Sequence, residues 1–149
     1  VGDIRIKHAA LKGIHIPEDQ VPLAIDEFPA LFIAAVCAEG ETVLTGAEEL
    51  RVKESDRIQV MADGLAQLGV RTDVKPDGIV IRGSSITGGT VHSHGDHRIA
   101  MSFAIAALRS EGAITINDCA NVATSFPNFV QLADTVGMKL KVNPSDSGG

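Results

Sequence analysis

The stretch FPALFIAAVCA, residues 28–38, decides the fold. Its apolar side chains run almost all round a helix instead of along one stripe. A helix that is apolar on every face is buried on every face. The stretch IAMSFAIAAL, residues 99–108, has the same character. Two further helical stretches, from Glu54 and from Ser125, are amphipathic and belong at a flank. The pattern predicts an α/β (α+β) fold in which sheets wrap buried helices, an unusual arrangement for a soluble domain.

Working outward, the chain reads as two copies of one unit. In the first, Gly13–Ile16 is a strand, Pro17–Pro22 a loop and Asp26–Glu39 a helix. Asp26 is the candidate N-cap, and Pro29 falls in the first turn. Gly40 ends the helix, Thr42–Leu44 is a strand, and a second helix runs over Glu54–Leu68 to Gly69. Val70–Val74 and Ile79–Arg82 then form a hairpin around Pro76-Asp77-Gly78. In the second copy, Thr90–His92 is a strand, Asp96–Ser110 a helix and Ala113–Ile116 a strand. Ser125–Val136 is a helix with Pro127 in its first turn, and Met138–Val142 a strand. Landmarks match in order: Asp26 with Asp96, Gly40 with Gly112, Gly69 with Gly137. The units span about 13–82 and 89–142, with Asp3–Lys7 as an orphan strand from an earlier unit and 143–149 as a flexible tail.

Composition narrows the function classes. A chain of 149 residues that is 44% hydrophobic can bury an ordinary core. It has no Trp and no Tyr, and its net charge is -6. Both facts argue against a nucleic-acid binder. No apolar run is long enough to span a bilayer. Cys37 and Cys119 show no metal spacing, so a reduced, cytoplasmic protein is expected, with Cys37 a core residue. The chain opens on Val1 instead of Met, which leads us to expect a piece of something longer.

Chemistry gathers at helix starts, where free N–H groups and the helix dipole favour anions. RVKESDR, residues 51–57, packs three cations and two carboxylates, and Asp96-His97-Arg98 is a second charged start. Lys53 and Arg57 share a face if one helix includes both. Arg57 and Arg98 come from comparable places in the two units, and two guanidinium forks suit one carboxylate or phosphate. Asp26 and Glu54, beside these cations, suit general acid–base work. On charge pattern alone RVKESDR also reads as a solvated helix face. Asp26 also reads as a plain cap. His92, His94, Asp96 and His97 are poorly spaced for zinc, so no metal site is expected.

RVKESDR and GDHRIAM (residues 95–101) resemble signature segments of the 5-enolpyruvylshikimate-3-phosphate synthase family. ATSFPNF (123–129) and the run IPEDQVP…IDEFPAL add to the resemblance, which covers nearly all of the chain except its tail. It implies transfer of the carboxyvinyl group of phosphoenolpyruvate to the 5-hydroxyl of shikimate 3-phosphate, with release of phosphate and without a cofactor. The family fold it implies is two domains of three βαβαββ units each, with substrates in the cleft between them. This chain holds about two of those six units. The resemblance implies that Asp26 binds the shikimate phosphate and accepts a proton. It implies that Glu54 moves a proton at the methylene carbon and that Lys53 contacts shikimate 3-phosphate. Arg57 and Arg98 match arginines that hold phosphoenolpyruvate, with His97 beside the second.

Thr124 departs from the pattern, standing where some members have a lysine. Nothing in this chain resembles the family's N-terminal substrate contacts. The expectation is therefore one wall of a cleft, belonging to the C-terminal third of the enzyme and inactive alone, with an apolar flank open to self-association. Two other readings stay open: a fragment of the related UDP-N-acetylglucosamine enolpyruvyl transferase, and a non-catalytic anion-binding or folding unit.

Overall fold

The computed structural model of the protein describes residues 2–144. Its helices are α1 (Val21–Ala24), α2 (Phe28–Val36), α3 (Arg57–Gln67), α4 (His97–Ala106), α5 (Asn121–Ser125) and α6 (Phe129–Thr135). Its strands are β1 (Glu41–Leu44), β2 (Thr72–Lys75), β3 (Gly78–Arg82), β4 (Gly89–His92) and β5 (Ile114–Asn117).

In the first unit β3 is central and antiparallel to both β1 and β2, with Val80 opposite Val43 and Ile79 opposite Val74. Residues 11–16 run parallel to β1. Gly13 N donates to Glu39 O at 2.7 Å, and Ile16 N donates to Val43 O at 2.9 Å. The unit thus runs as an extended segment held by isolated bridges, in place of the strand expected at Gly13–Ile16, then helix, strand, helix and hairpin. In the second unit β4 and β5 pair in parallel, Val91 opposite Ile116.

Helices α2 and α4 run side by side in one direction. Arg98 meets the Asp26 carbonyl at one end, and Val36 and Arg109 line the same cleft at the other. Helix α3 lies along α4 in the same sense. The two approach so closely that a Cβ on Gly64 would sit 2.3 Å from the Phe103 ring, which is why a glycine interrupts the interior of α3 despite its helix cost. Phe28, Phe32, Leu50, Ile58, Met61, Leu65, Ile81 and Phe103 fill the core between helices and sheet. A small second cluster joins Ala104, Ala133 and Met138.

Several expectations need correction. Asp3–Lys7 forms no strand and is exposed. Met138–Val142 is likewise irregular. The helix expected over Ser125–Val136 is shorter, α6 over Phe129–Thr135, with α5 ending at Ser125 ahead of it. Pro127 drives the residue before it out of helical geometry, and Phe126 has φ -144° and ψ 77°. Pro17–Pro22 is not a plain loop: a 3₁₀ turn over Glu18–Gln20 leads into α1. Helix α3 begins at Arg57, not Glu54, because Asp56 caps it by accepting from Gln59 N at 3.1 Å. Asp26 caps nothing. It lies in a 3₁₀ turn over Ile25–Glu27, and the cap position of α2 is Glu27. Nor are α2 and α4 buried on every face, since Leu31 and Ile105 are exposed. In the expected tail, Asn143 and Pro144 carry no regular element, and 145–149 lie outside the described residues.

Candidate functional site

Three parallel helices bring their N-terminal ends to one edge of the molecule, and the charged side chains gather there. Arg57 opens α3, Asp96 caps α4, and Asp26 lies in the turn ahead of α2. The centre is a buried pair, with Arg57 1% and Asp96 0% exposed. Arg57 Nε donates to Asp96 Oδ2 at 2.9 Å and Nη2 to Oδ1 at 3.3 Å, a side-on fork. Its other edge donates from Nη1 to Asp26 Oδ1 at 3.2 Å and from Nη2 to Glu54 Oε2 at 2.6 Å. Asp96 also accepts from Ser55 Oγ at 2.8 Å and, as the cap, from Arg98 N at 3.1 Å. Buried charge is tolerated only when paired and hydrogen-bonded, and both members meet that condition.

Lys53 is not on α3. It is extended, with φ -85° and ψ -155°, just after a 3₁₀ turn over Glu48–Val52. From there Lys53 Nζ reaches Glu49 Oε1 at 3.0 Å and Asp26 Oδ1 at 3.3 Å. Arg98 Nη1 donates to Asp26 O at 3.0 Å and to Glu27 Oε1 at 3.1 Å. The structure thus brings Asp26, Lys53, Glu54, Arg57 and Arg98 into one network. His97, half-buried at the first position of α4, makes no side-chain hydrogen bond among the described residues. Thr124 lies exposed on α5.

Arg51, the first cation of RVKESDR, has a different task. Nε donates to Pro76 O at 2.9 Å, Nη2 to Lys75 O at 2.5 Å and Nη1 to Asp56 Oδ2 at 2.8 Å. It ties the tip of the β2–β3 hairpin to the cap of α3. Asp77 completes the brace, taking Gly46 N on its side chain at 3.0 Å and Ala47 N on its carbonyl at 2.7 Å.

These contacts set the proton affinities. Burial pushes the Asp96 carboxyl up, but the Arg57 guanidinium and the Ser55 hydroxyl outweigh it and hold the group below the usual carboxylate range. Asp26 is held low in the same way: burial opposes, and Lys53, Arg98 and Arg57 prevail. The hydrogen bond to Glu49 raises Lys53, with Asp26 adding to it. The site sets five acidic side chains (Asp26, Glu27, Glu49, Glu54, Asp96) around three basic ones (Lys53, Arg57, Arg98). Among the described residues no group of three or more His, Cys, Asp or Glu side chains is placed to hold a metal ion.

Sequence reasoning found the two charged helix starts but not their central bond. Asp96 stood beside Arg98 in the chain, and nothing in the spacing pointed to Arg57 as its partner. Ser55 and Glu49 were missed for the same reason. Their roles come from the packing of α3 against α4 and from the 3₁₀ turn before Lys53.

The fold is mixed, with parallel helices packed on sheets and a charged network where the helix starts converge. The profile of EPSP synthase (3-phosphoshikimate 1-carboxyvinyltransferase) matches residues 1–132, and the chain belongs to that family. It is 70% identical, over 96% of its length, to the 3-phosphoshikimate 1-carboxyvinyltransferase of Methylococcus capsulatus, and 65% identical over 95% to that of Nitrosococcus oceani. An EPSP synthase structure from Acinetobacter baumannii matches 90% of the chain with TM-score 0.88 and 61% identity, and 32% of that protein is covered. The enolpyruvyl transferase NikO from Streptomyces tendae matches 78% of the chain, and 26% of NikO is covered, with TM-score 0.64 and 25% identity. The chain spans about a third of the length of the curated relatives it matches, 33% and 32% for the two named.

Proposed function

We propose that the chain forms the C-terminal third of a 3-phosphoshikimate 1-carboxyvinyltransferase and supplies one wall of its active site. The complete enzyme would transfer the carboxyvinyl group of phosphoenolpyruvate to the 5-hydroxyl of shikimate 3-phosphate and release phosphate. The observation that carries this reading is the convergence of Asp26, Lys53, Glu54, Arg57 and Arg98 at three parallel helix starts, in a chain that belongs to the EPSP synthase family.

The chemistry asks for what this wall offers. Replacing phosphate on the vinyl carbon requires the hydroxyl to lose a proton. The methylene carbon must gain a proton and then lose it as phosphate departs. Two carboxylates beside cations suit those transfers. In this reading Asp26 takes the hydroxyl proton and neighbours the shikimate phosphate, which Lys53 holds. Glu54 serves the methylene carbon. Arg57 and Arg98 hold phosphoenolpyruvate, with His97 beside them. The remaining donors come from the rest of the enzyme, the covalently linked partner domain that closes the cleft. Reacting groups must be held from both sides, so the chain alone is inactive. The same reading places the enzyme in the cytoplasm, in keeping with two free cysteines, Cys37 and Cys119.

The test is phosphate release from phosphoenolpyruvate and shikimate 3-phosphate. The full-length protein should turn over and the isolated chain should not. Enzyme-like turnover by the isolated chain would overturn the one-wall assignment.

A further inference from the structure

The two edges of the Arg57 guanidinium do different work. The side-on edge, Nε and Nη2, is committed to Asp96, which is fully buried. Removing that carboxylate would strand a buried cation. Asp96 is itself fixed by the Ser55 hydroxyl and the Arg98 amide, so the fork cannot rotate without breaking the cap of α4. The end-on edge holds Asp26 and Glu54, whose side chains are 46% and 55% exposed. Water can take over those carboxylates at small cost, because both already face solvent over about half their surface. One Nη1 hydrogen has no partner among the described residues.

An anion arriving at this edge meets a place already held by two carboxylates. Like charges on one guanidinium edge oppose each other, so a substrate carboxylate gains a bidentate fork only if Asp26 and Glu54 leave it.

Resting on the functional reading above, we propose that Asp96 is a positioning residue that fixes the plane of Arg57, and that the end-on edge of Arg57 is a carboxylate-exchange site. The carboxylate of phosphoenolpyruvate displaces Asp26 and Glu54 from it. Binding and readiness for proton transfer are then one event. The substrate anion satisfies Arg57, and the two released carboxylates are free to carry protons. No covalent bond changes in this step.

The test is calorimetric binding of phosphoenolpyruvate to the full-length enzyme, with turnover and thermal stability measured on the same proteins. Glu54→Gln removes a competitor for the end-on edge. It should bind phosphoenolpyruvate about two- to fivefold more tightly, the scale of one weak ion pair, while turnover falls. Asp96→Asn should raise the KM for phosphoenolpyruvate on the order of tenfold. Asp96→Glu, which restores the charge, should recover part of that affinity even where stability is not recovered. Weaker binding by Glu54→Gln overturns the exchange. Affinity that only tracks stability across the Asp96 variants overturns the positioning role. If Asp96→Asn does not fold, the Glu54→Gln measurement still decides the exchange, since Glu54 is exposed. A wild-type enzyme that neither binds nor turns over phosphoenolpyruvate overturns the functional reading beneath both.

Discussion

Arg98 Nη1 donates to the backbone carbonyl of Asp26 at 3.0 Å, tying the start of α4 to the turn ahead of α2. That bond and the one to Glu27 use a single terminal nitrogen, and Nε and Nη2 make no hydrogen bond among the described residues. Arg98→Ala should weaken phosphoenolpyruvate binding several-fold or more in the full-length enzyme, read as a rise in KM. An unchanged KM would remove Arg98 from the substrate wall.

Glu54 reaches the site from an exposed position beside the buried Arg57. Glu54→Gln keeps the shape and removes the proton carrier. Turnover should fall by about 10²-fold or more, with no loss of substrate affinity. Steady-state kinetics with both substrates varied separates the two effects, and unchanged kcat would show that Glu54 moves no proton.

Gly64 faces the Phe103 ring inside the seam between α3 and α4. Gly64→Ala should lower stability by about 1–3 kcal/mol, because the ring is fully buried and has nowhere to go. The urea midpoint reports it. A helix-propensity gain with no loss of stability would contradict the packing described.

The carboxyls of Asp96 and Asp26 are both held below their ordinary value. A lowered folded pKa contributes stability above the unfolded value, and that contribution is lost as pH falls through the folded one. The urea midpoint should therefore drop below about pH 4, the region of the unfolded carboxylate. Asp96→Asn should be less stable at neutral pH and flatter on the acid side. An identical acid limb in the variant would place the pH dependence elsewhere.

Helices α2 and α4 leave Leu31 and Ile105 exposed, at 43% and 41%, and Leu23 ahead of them is 80% exposed. Exposed apolar surface of this kind favours association. The isolated chain should self-associate, as sedimentation equilibrium would detect. A monomer at every concentration with a high melting temperature would contradict this.

Much of this was legible in the chain. FPALFIAAVCA and IAMSFAIAAL announced two core helices. The 3.6-residue pattern did not tell which turn of polar residues would start α3. The helix starts at Arg57 behind the Asp56 cap, not at Glu54, and Lys53 lies off the helix and reaches Asp26. Nor did the pattern foresee that strands at Asp3–Lys7 and Met138–Val142 would go unformed, because strand pairing depends on tertiary context that a local pattern does not carry. The charged starts were visible as types. Their pairing was not, since Arg57 and Asp96 meet only after α3 packs on α4.

Phosphate release by the full-length protein, with phosphoenolpyruvate and either shikimate 3-phosphate or UDP-N-acetylglucosamine, tests the central claim most directly when wild type is run beside Glu54→Gln. The account predicts release with shikimate 3-phosphate alone, and its loss in the variant. Release with the UDP-sugar instead, or undiminished release in Glu54→Gln, would contradict it.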